Sequence, residues 1–545
     1  MSKIQTEKEK EEKAEPPPRR GWVSLVSLYM GLFLFSIILC AGLLVTVLQD
    51  RTLTLPKTIQ TKLNVFLNTE PDFPEISFSS AEIGFSAILN PKLVLEGVQF
   101  SDDLTGSGVR LGKLEVVFDG RKFITGVVAP KSTRLNGAVL DVTRKIDGSF
   151  DLGFDVSSGI TTTLSVDEVF KKIEGFFVDE EYRSLEKGEI DQVTVNYTDQ
   201  LNKRAWTFDG GRLRAERDDG RVTLRIDLAL LSGGDEPATV GIGYEFSTDG
   251  IGELSAEIHN IPAGDLGIQA EALTWLSFVN GNLSGSLRST RINGEFDELN
   301  ALLDFGQGEL LAGKGNKNIP YSKAKTYFSY SPKNERLDID LILIESDWGK
   351  LSASGYSLLL SEGEDGHLSD GMILDLEVDS AELQSTPWWA ENVKISEATS
   401  QIKITYSPLQ VDVGQIQARV NGANIIGSGR ASLMPAGWIS NLNVEIPSLS
   451  SKDLLKFWPL GQKIKSRKWF EQNVNLGTFK NLRINANKNV GREFEVASSF
   501  SFENANIKFM KHMPVISNGS GYGMLQGSAL TVVSQGGHIK APEGG

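Results

Sequence analysis

The residue types that usually carry chemistry are sparse in this chain and stand apart from one another. Its four histidines are His259, His367, His512 and His538, and none lies within five residues of another. No HxxxH or HxH pair exists to hold a metal ion on one element, and scattered histidines of this kind read as surface or core residues. The one cysteine, Cys40, lies inside an apolar run, so neither an intrachain disulfide nor a cysteine-based zinc site can form. There is no G-x-S-x-G elbow and no G-x-x-x-x-G-K-S/T loop. The stretch NGSGYGMLQG (Asn518–Gly527) has the glycines of a phosphate cradle, but a cradle follows a strand and opens a helix. Strand-like ALTVVS follows here, which predicts a turn between strands. The acidic run Asp179–Glu181 has the residue type for acid–base work, yet a solvated face has the same composition. With no constellation of acid, base, nucleophile or metal ligand, the expectation is a non-enzyme with no catalytic residues, metal or cofactor.

The elements must therefore carry the function as surfaces. At 545 residues the chain exceeds one ordinary core, so several domains or a repeating architecture are expected. A hydrophobic content of 40% with 23% charged residues is globular, and 55 glycines supply the many turns a sheet-rich protein needs. The net charge is −15, and residues 1–50 sum to zero, so the excess acid lies beyond them. A nucleic-acid partner would need a basic footprint, and none is visible.

Gly21–Gln49 carries no charge over 29 residues, which is ample for one transmembrane helix. Arg19 and Arg20 abut its N-terminal side and Trp22 sits at interfacial depth. The positive-inside rule then places residues 1–20 in the cytoplasm, as a short disordered tail, and the bulk of the chain across the membrane. A cleaved signal peptide has a shorter apolar core and a small-x-small site. A lipoprotein signal at Cys40 would want a small residue where Leu39 stands, and PRRGW is a poor twin-arginine signal.

Beyond the span, Pro56–Glu70 repeats Ile59, Leu63, Phe66 and Leu67 at helical spacing. Strand signals follow almost to the end, among them Lys92–Phe100, Gly112–Asp119, Gly137–Arg144, Arg221–Leu231, Gln401–Ser407 and Leu409–Val420. Two helices interrupt them. Ser165–Lys187 places Val169, Phe170, Ile173 and Phe177 on one face, with Asp167 and Glu168 in its first turn. Ser450–Pro459 is a short helix stopped by its proline. Faint internal repeats link Tyr330–Gly355 to Tyr406–Gly429 and Glu257–Leu266 to Glu445–Leu454, as if one multi-strand unit were reused.

The strand Glu335–Gly355 concentrates the question. Leu337, Ile339, Leu341 and Leu343 alternate onto one face, and Ile342 and Ile344 make the other face apolar too. Either such faces pack into sandwich cores or one long sheet keeps its dry face as a groove. Register, which sequence does not fix, decides which face points inward.

The order of several motifs resembles a known family. A single span is followed by LPKTIQTKLNVFLN, NPKLVLEGVQFSD and LDVTRKIDGSFDLG, which is similar to the AsmA-like proteins of Gram-negative bacteria. The stretches Val193–Arg221, Lys456–Phe479 and Met513–Gly523 resemble the YhdP-like branch, with its Trp-Pro, Arg-x-Trp and following Gly at Trp458-Pro459, Arg467-Lys468-Trp469 and Gly477. TamB and YdbH belong to the same broad class. The resemblance implies a mainly β protein: a transmembrane helix, then an elongated, twisted, antiparallel β-groove of repeated units with a few short helices. It implies an inner-membrane anchor, a periplasmic bulk, and a part in phospholipid transport between inner and outer membranes and in outer-membrane integrity. Partners would be phospholipid acyl chains, the inner membrane and envelope proteins at either end. The expected division is 1–20 tail, 21–49 span, 50–160 AsmA-like β region, 161–190 helical insertion and 191–545 groove. The chain ends in a strand-and-turn pattern at about half the length usual for that branch, so the groove is expected to be incomplete C-terminally. Leu337, Ile339, Leu341 and Leu343 are the candidate lining, and the five motif positions are expected to be structural. The alternatives are a periplasmic assembly scaffold with filled cores and, last, an envelope hydrolase. On scale, about 30 strands at ~4.8 Å spacing would make a sheet of order 140 Å.

Overall fold

A computed structural model describes residues 22–48, 51–69, 75–87, 90–101, 108–151, 166–179, 182–231, 236–247, 250–311, 318–360, 369–385, 389–461, 464–492, 494–527 and 529–540. The expected tail, residues 1–20, lies outside them, as do His367, Glu180 and Glu181.

Trp22–Leu48 is a helix of 27 residues without a charged side chain. Among the described residues no helix is long and apolar enough to cross a membrane. The side chains of Tyr29, Met30, Phe33 and Phe35 are each more than 60% exposed, with no described protein layer over them.

The remaining chain is mainly β, and 27 strands join in one mixed sheet. Several hairpins close with two-residue turns that need positive φ at both positions. Asp219-Gly220, Asn293-Gly294 and Asn421-Gly422 supply it at 45° and 82°, 52° and 91°, and 45° and 86°. From Lys187–Asp199 through Arg204–Asp218 and on to Ala529–Ile539, nearly every strand pairs antiparallel with the strand before it in the chain. Pairing is thus local, as short turns dictate.

The expected purely antiparallel sheet is corrected at one place. Pro130–Asn136 and Val139–Arg144 both run parallel to Lys187–Asp199, end to end along its edge. Parallel neighbours require a crossover, and the connection contains the helix Val166–Val178. The strand Lys187–Asp199 straddles the expected 190/191 boundary, so the sheet is continuous there. The glycine-rich stretch Asn518–Gly527 is also corrected: all but its last residue lies within the strand Ile516–Gln526. Its glycines face phenylalanines across the ladder, Gly521 opposite Phe502 and Gly523 opposite Phe500. A Cβ on Gly523 would come 2.4 Å from the Phe500 ring, so the rings occupy the space glycine leaves.

Candidate functional site

One face of the sheet is apolar nearly without interruption. Residues directly opposite each other on paired strands share a face, so a row can be followed by register. It begins Ala81, Leu95, Leu114, Leu135, Ile190, Leu213. It continues through Ile226, Ile242, Ala256 and Leu287 to Phe328 and Ile339 without meeting a polar side chain. The opposite face is solvated. Asp191 lies between Arg134 and Arg212 there, Asp412 binds Arg430, and Asn441, Asn443, Asn485 and Asn487 form an amide ladder. Burial works against the charge on Asp191, but hydrogen bonds from Arg212 and Arg134 hold its carboxyl below the usual range.

The apolar face carries four covering segments. The helix Lys57–Leu67 sets Leu63 and Leu67 on Ala81, Leu95 and Val98. The helix Val166–Val178 sets Phe170, Ile173 and Phe177 on Val222, Tyr244 and Phe246, the face its periodicity predicts. Arg291, 1% exposed, latches this helix: its Nη1 lies 2.5 Å from Glu174 Oε1, and its guanidinium stacks between Phe170 and Phe296. Burial opposes its charge, yet the hydrogen bonds it donates to Glu174 and Tyr244 keep its pKa above the ordinary value. Burial, then the bond to Glu174, pushes the Tyr244 phenol up to about 12.

The third segment is a strap. The strand Ile251–Pro262 leaves the sheet into the helix Ala263–Gly267 and the 3-10 helix Glu271–Phe278. At one end the carbonyl of Ile268 accepts from Arg144 and Asn202, Trp206 Nε1 donates to Asp265, and the Tyr197 hydroxyl donates to Gln269. Arg144 also lies 3.5 Å from Asp199, which is fully buried. At the other end Thr274 Oγ1 accepts from the Ser369 backbone N–H, and Phe278 packs on Tyr406 with ring centroids 5.3 Å apart.

These anchors determine the shape of the sheet. Asp199 and Ser369 are separated by ten strand-to-strand steps, which in a flat sheet is on the order of 48 Å. The six residue-to-residue steps from Ile268 to Thr274 span at most about 22 Å even if fully extended. The sheet therefore curls around the strap, and its apolar face is the concave one. Both repeated Tyr-Ser-Pro corners serve this contact, because Tyr330 packs in the cluster beneath the strap and Tyr406 meets Phe278.

The second pair of repeats does the same kind of work. Glu257–Leu266 and Glu445–Leu454 each run from a strand into a short helix laid on the concave face. The second leads to the fourth segment, the helices Ser451–Phe457 and Ile464–Asn473. The family-motif residues gather here. Trp458 packs on Phe470 and Trp469 on Phe509, with centroids 6.1 and 6.4 Å apart. Arg467 donates to the Leu455 carbonyl, tying the helices together across Pro459. Gly477, at φ 152°, lies where a Cβ would approach Ala505 Cβ to 3.1 Å.

The candidate lining needs correction. Asp340 is the extra residue of a β-bulge: Phe328 pairs with Ile339 while Tyr327 pairs with Leu341. One extra residue reverses the alternation. By this register Leu337 and Ile339 share the concave face with Ile342 and Ile344 while Leu341 and Leu343 alternate away from it, although Leu343, like Leu337 and Ile339, borders the slot described below. Leu337, 3% exposed, packs under the strap with Leu276 and Phe328. The uncovered lining lies further along, at Leu376, Ile402, Ile404, Val411, Val413 and Ile416, which are half-buried and belong to no packed cluster among the described residues. Their alternation was visible in sequence; that no cluster among the described residues packs on them was not.

Between strap and bare lining lies a slot of about 270 Å³, bordered by Trp275, Val279, Phe328, Ile339, Leu374 and Ile404. Among the described residues no cluster of three or more His, Cys, Asp or Glu could hold a metal ion. His259 bonds Ser284 at a strand edge, far in sequence from His512 and His538. No family model, curated protein or solved structure matches this chain.

Proposed function

We propose that the protein holds lipid acyl chains along the concave face of its curled sheet and takes part in phospholipid movement between membranes. The observation that carries this reading is the set Ile402, Ile404, Val411 and Val413 on the inside of the curl, half-buried and outside every packed cluster among the described residues, although Ser400 interrupts the neighbouring row between Leu376 and Ile416. Each methylene taken from water contributes about 0.8 kcal/mol, so such a face favours hydrocarbon over exposure. Contacts without hydrogen-bond specificity let a chain slide. The uncharged helix Trp22–Leu48 would anchor the trough in the inner membrane, with the bulk in the periplasm, and the AsmA-like, YhdP-like resemblance points the same way. No reaction is assigned to it.

A second reading, an envelope assembly scaffold with filled cores, is favoured by the packed clusters under the strap and under Ser451–Asn473. Ile402→Glu separates the two. It puts a carboxylate on the bare lining without touching a packed cluster. Under the trough reading, lipid extracted from the purified full chain falls at least tenfold while the β-sheet circular dichroism is unchanged. Lipid content equal to wild type, or none in either protein, would favour the scaffold.

A further inference from the structure

The slot beside the strap is lined mostly by hydrophobic side chains. From Phe305 to Ile404 its lining is drawn from six neighbouring strands. Its volume is about 270 Å³. That lies just under the roughly 300–1,000 Å³ of sites for drug-sized ligands. Among the described residues, Lys325 is the only charged residue bordering it. On its floor, Ser357 is 1% exposed and its hydroxyl has no partner among the described residues. The Tyr321 hydroxyl in its wall is likewise buried without a partner among the described residues, and apart from these groups and Thr326 the lining is hydrophobic.

One end of the slot is stopped. Trp275 of the strap packs toward Phe305, with ring centroids 6.1 Å apart, and Val279, Leu310 and Tyr321 close the wall behind them. Toward Met372, Leu374 and Ile404 the slot runs into the bare lining.

We infer that this slot seats the terminal segment of a single acyl chain, with the strap as its end stop and the headgroup left over the bare strands between Gly371 and Met434. This rests on the trough reading and gives it a fixed stopping point. A lipid travelling along the trough pauses here until the strap yields.

The test uses the full chain incubated with phosphatidylethanolamine–phosphatidylglycerol vesicles carrying a trace lipid with a photoactivatable diazirine. In one probe the diazirine is at the acyl tip, in the other beside the glycerol. After irradiation, labelled peptides are mapped by mass spectrometry. The expected result is tip labelling concentrated on Trp275, Phe328, Ile339 and Leu374, and glycerol-side labelling on the strands around Val411 and Val413. Tip labelling spread evenly along the concave face, or absent from the slot while other concave residues are labelled, overturns the seat and leaves the trough. No concave-face labelling from either probe overturns both. Ser357→Phe, which fills the floor, should lower tip labelling in the slot at least tenfold and leave labelling around Val413 intact. If that variant does not fold, the wild-type pattern decides alone.

Discussion

Glu174→Gln should loosen the helix Val166–Val178 from the concave face. Arg291 is 1% exposed, and its charge is balanced by Glu174 at 2.5 Å and more weakly by Asp167 at 3.9 Å. Removing one partner of a fully buried pair costs about 3–5 kcal/mol, because the remaining charge is left uncompensated. The loss here is smaller, since the Glu174 side chain is 29% exposed and Asp167 remains; about 2 kcal/mol is expected. The helix is local and held by few apolar residues, so the loss should appear as local opening. Amide hydrogen exchange across Val166–Val178 should then accelerate about 30-fold. Exchange in the strands beyond Gly371 should be unchanged. Arg291→Met in the same chain removes the orphaned charge and fills its place between Phe170 and Phe296, so the double variant should recover most of the protection. Unchanged exchange in Glu174→Gln, or no recovery in the double variant, would refute the latch.

Other positions test the remaining links. Leu337→Ala should cost about 2–5 kcal/mol in denaturant unfolding, and Leu341→Ala well under half of that, since the bulge puts only Leu337 beneath the strap; equal losses would remove the bulge from the account. Ser357→Ala should be neutral or stabilising by up to about 1 kcal/mol, because it deletes a buried hydroxyl without a partner, and a clear loss of stability would show that the hydroxyl is bonded. Tyr197 and Tyr244 are both pushed up to about 12, chiefly by burial. A raised folded-state pKa contributes stability that is complete below the ordinary phenol value of 10.0 and is lost as pH rises through the folded value. Unfolding midpoints should therefore fall between pH 10 and 12, and Tyr244→Phe should reduce that fall.

Local structure was legible where a single chain segment decides it. Leu409–Val420 forms its strand over the predicted range, and the helical face of Phe170, Ile173 and Phe177 packs as its spacing requires. Features that depend on a neighbouring strand were not legible. At Asp340 the only sign was the shift from LDID to LILI, which the sequence permits as two apolar faces; the partner strand shows it to be one face continued through a bulge. The strap was missed because EALTWLSF has no amphipathic period, and its anchors Arg144, Asn202, Ser369 and Tyr406 are remote in the chain. The same distance hid the curl. Alternation identifies a dry face, and only the strap's short reach across ten strands shows that this face is concave.

The central claim is that hydrocarbon covers the concave face between the strap and Ser451. Native mass spectrometry of the full chain, released from mild detergent after purification from membranes, tests it most directly. The account predicts mass additions matching one or more intact diacyl phospholipids, retained in wild type and lost in Ile402→Glu. A bare polypeptide mass under conditions that preserve the fold would contradict it.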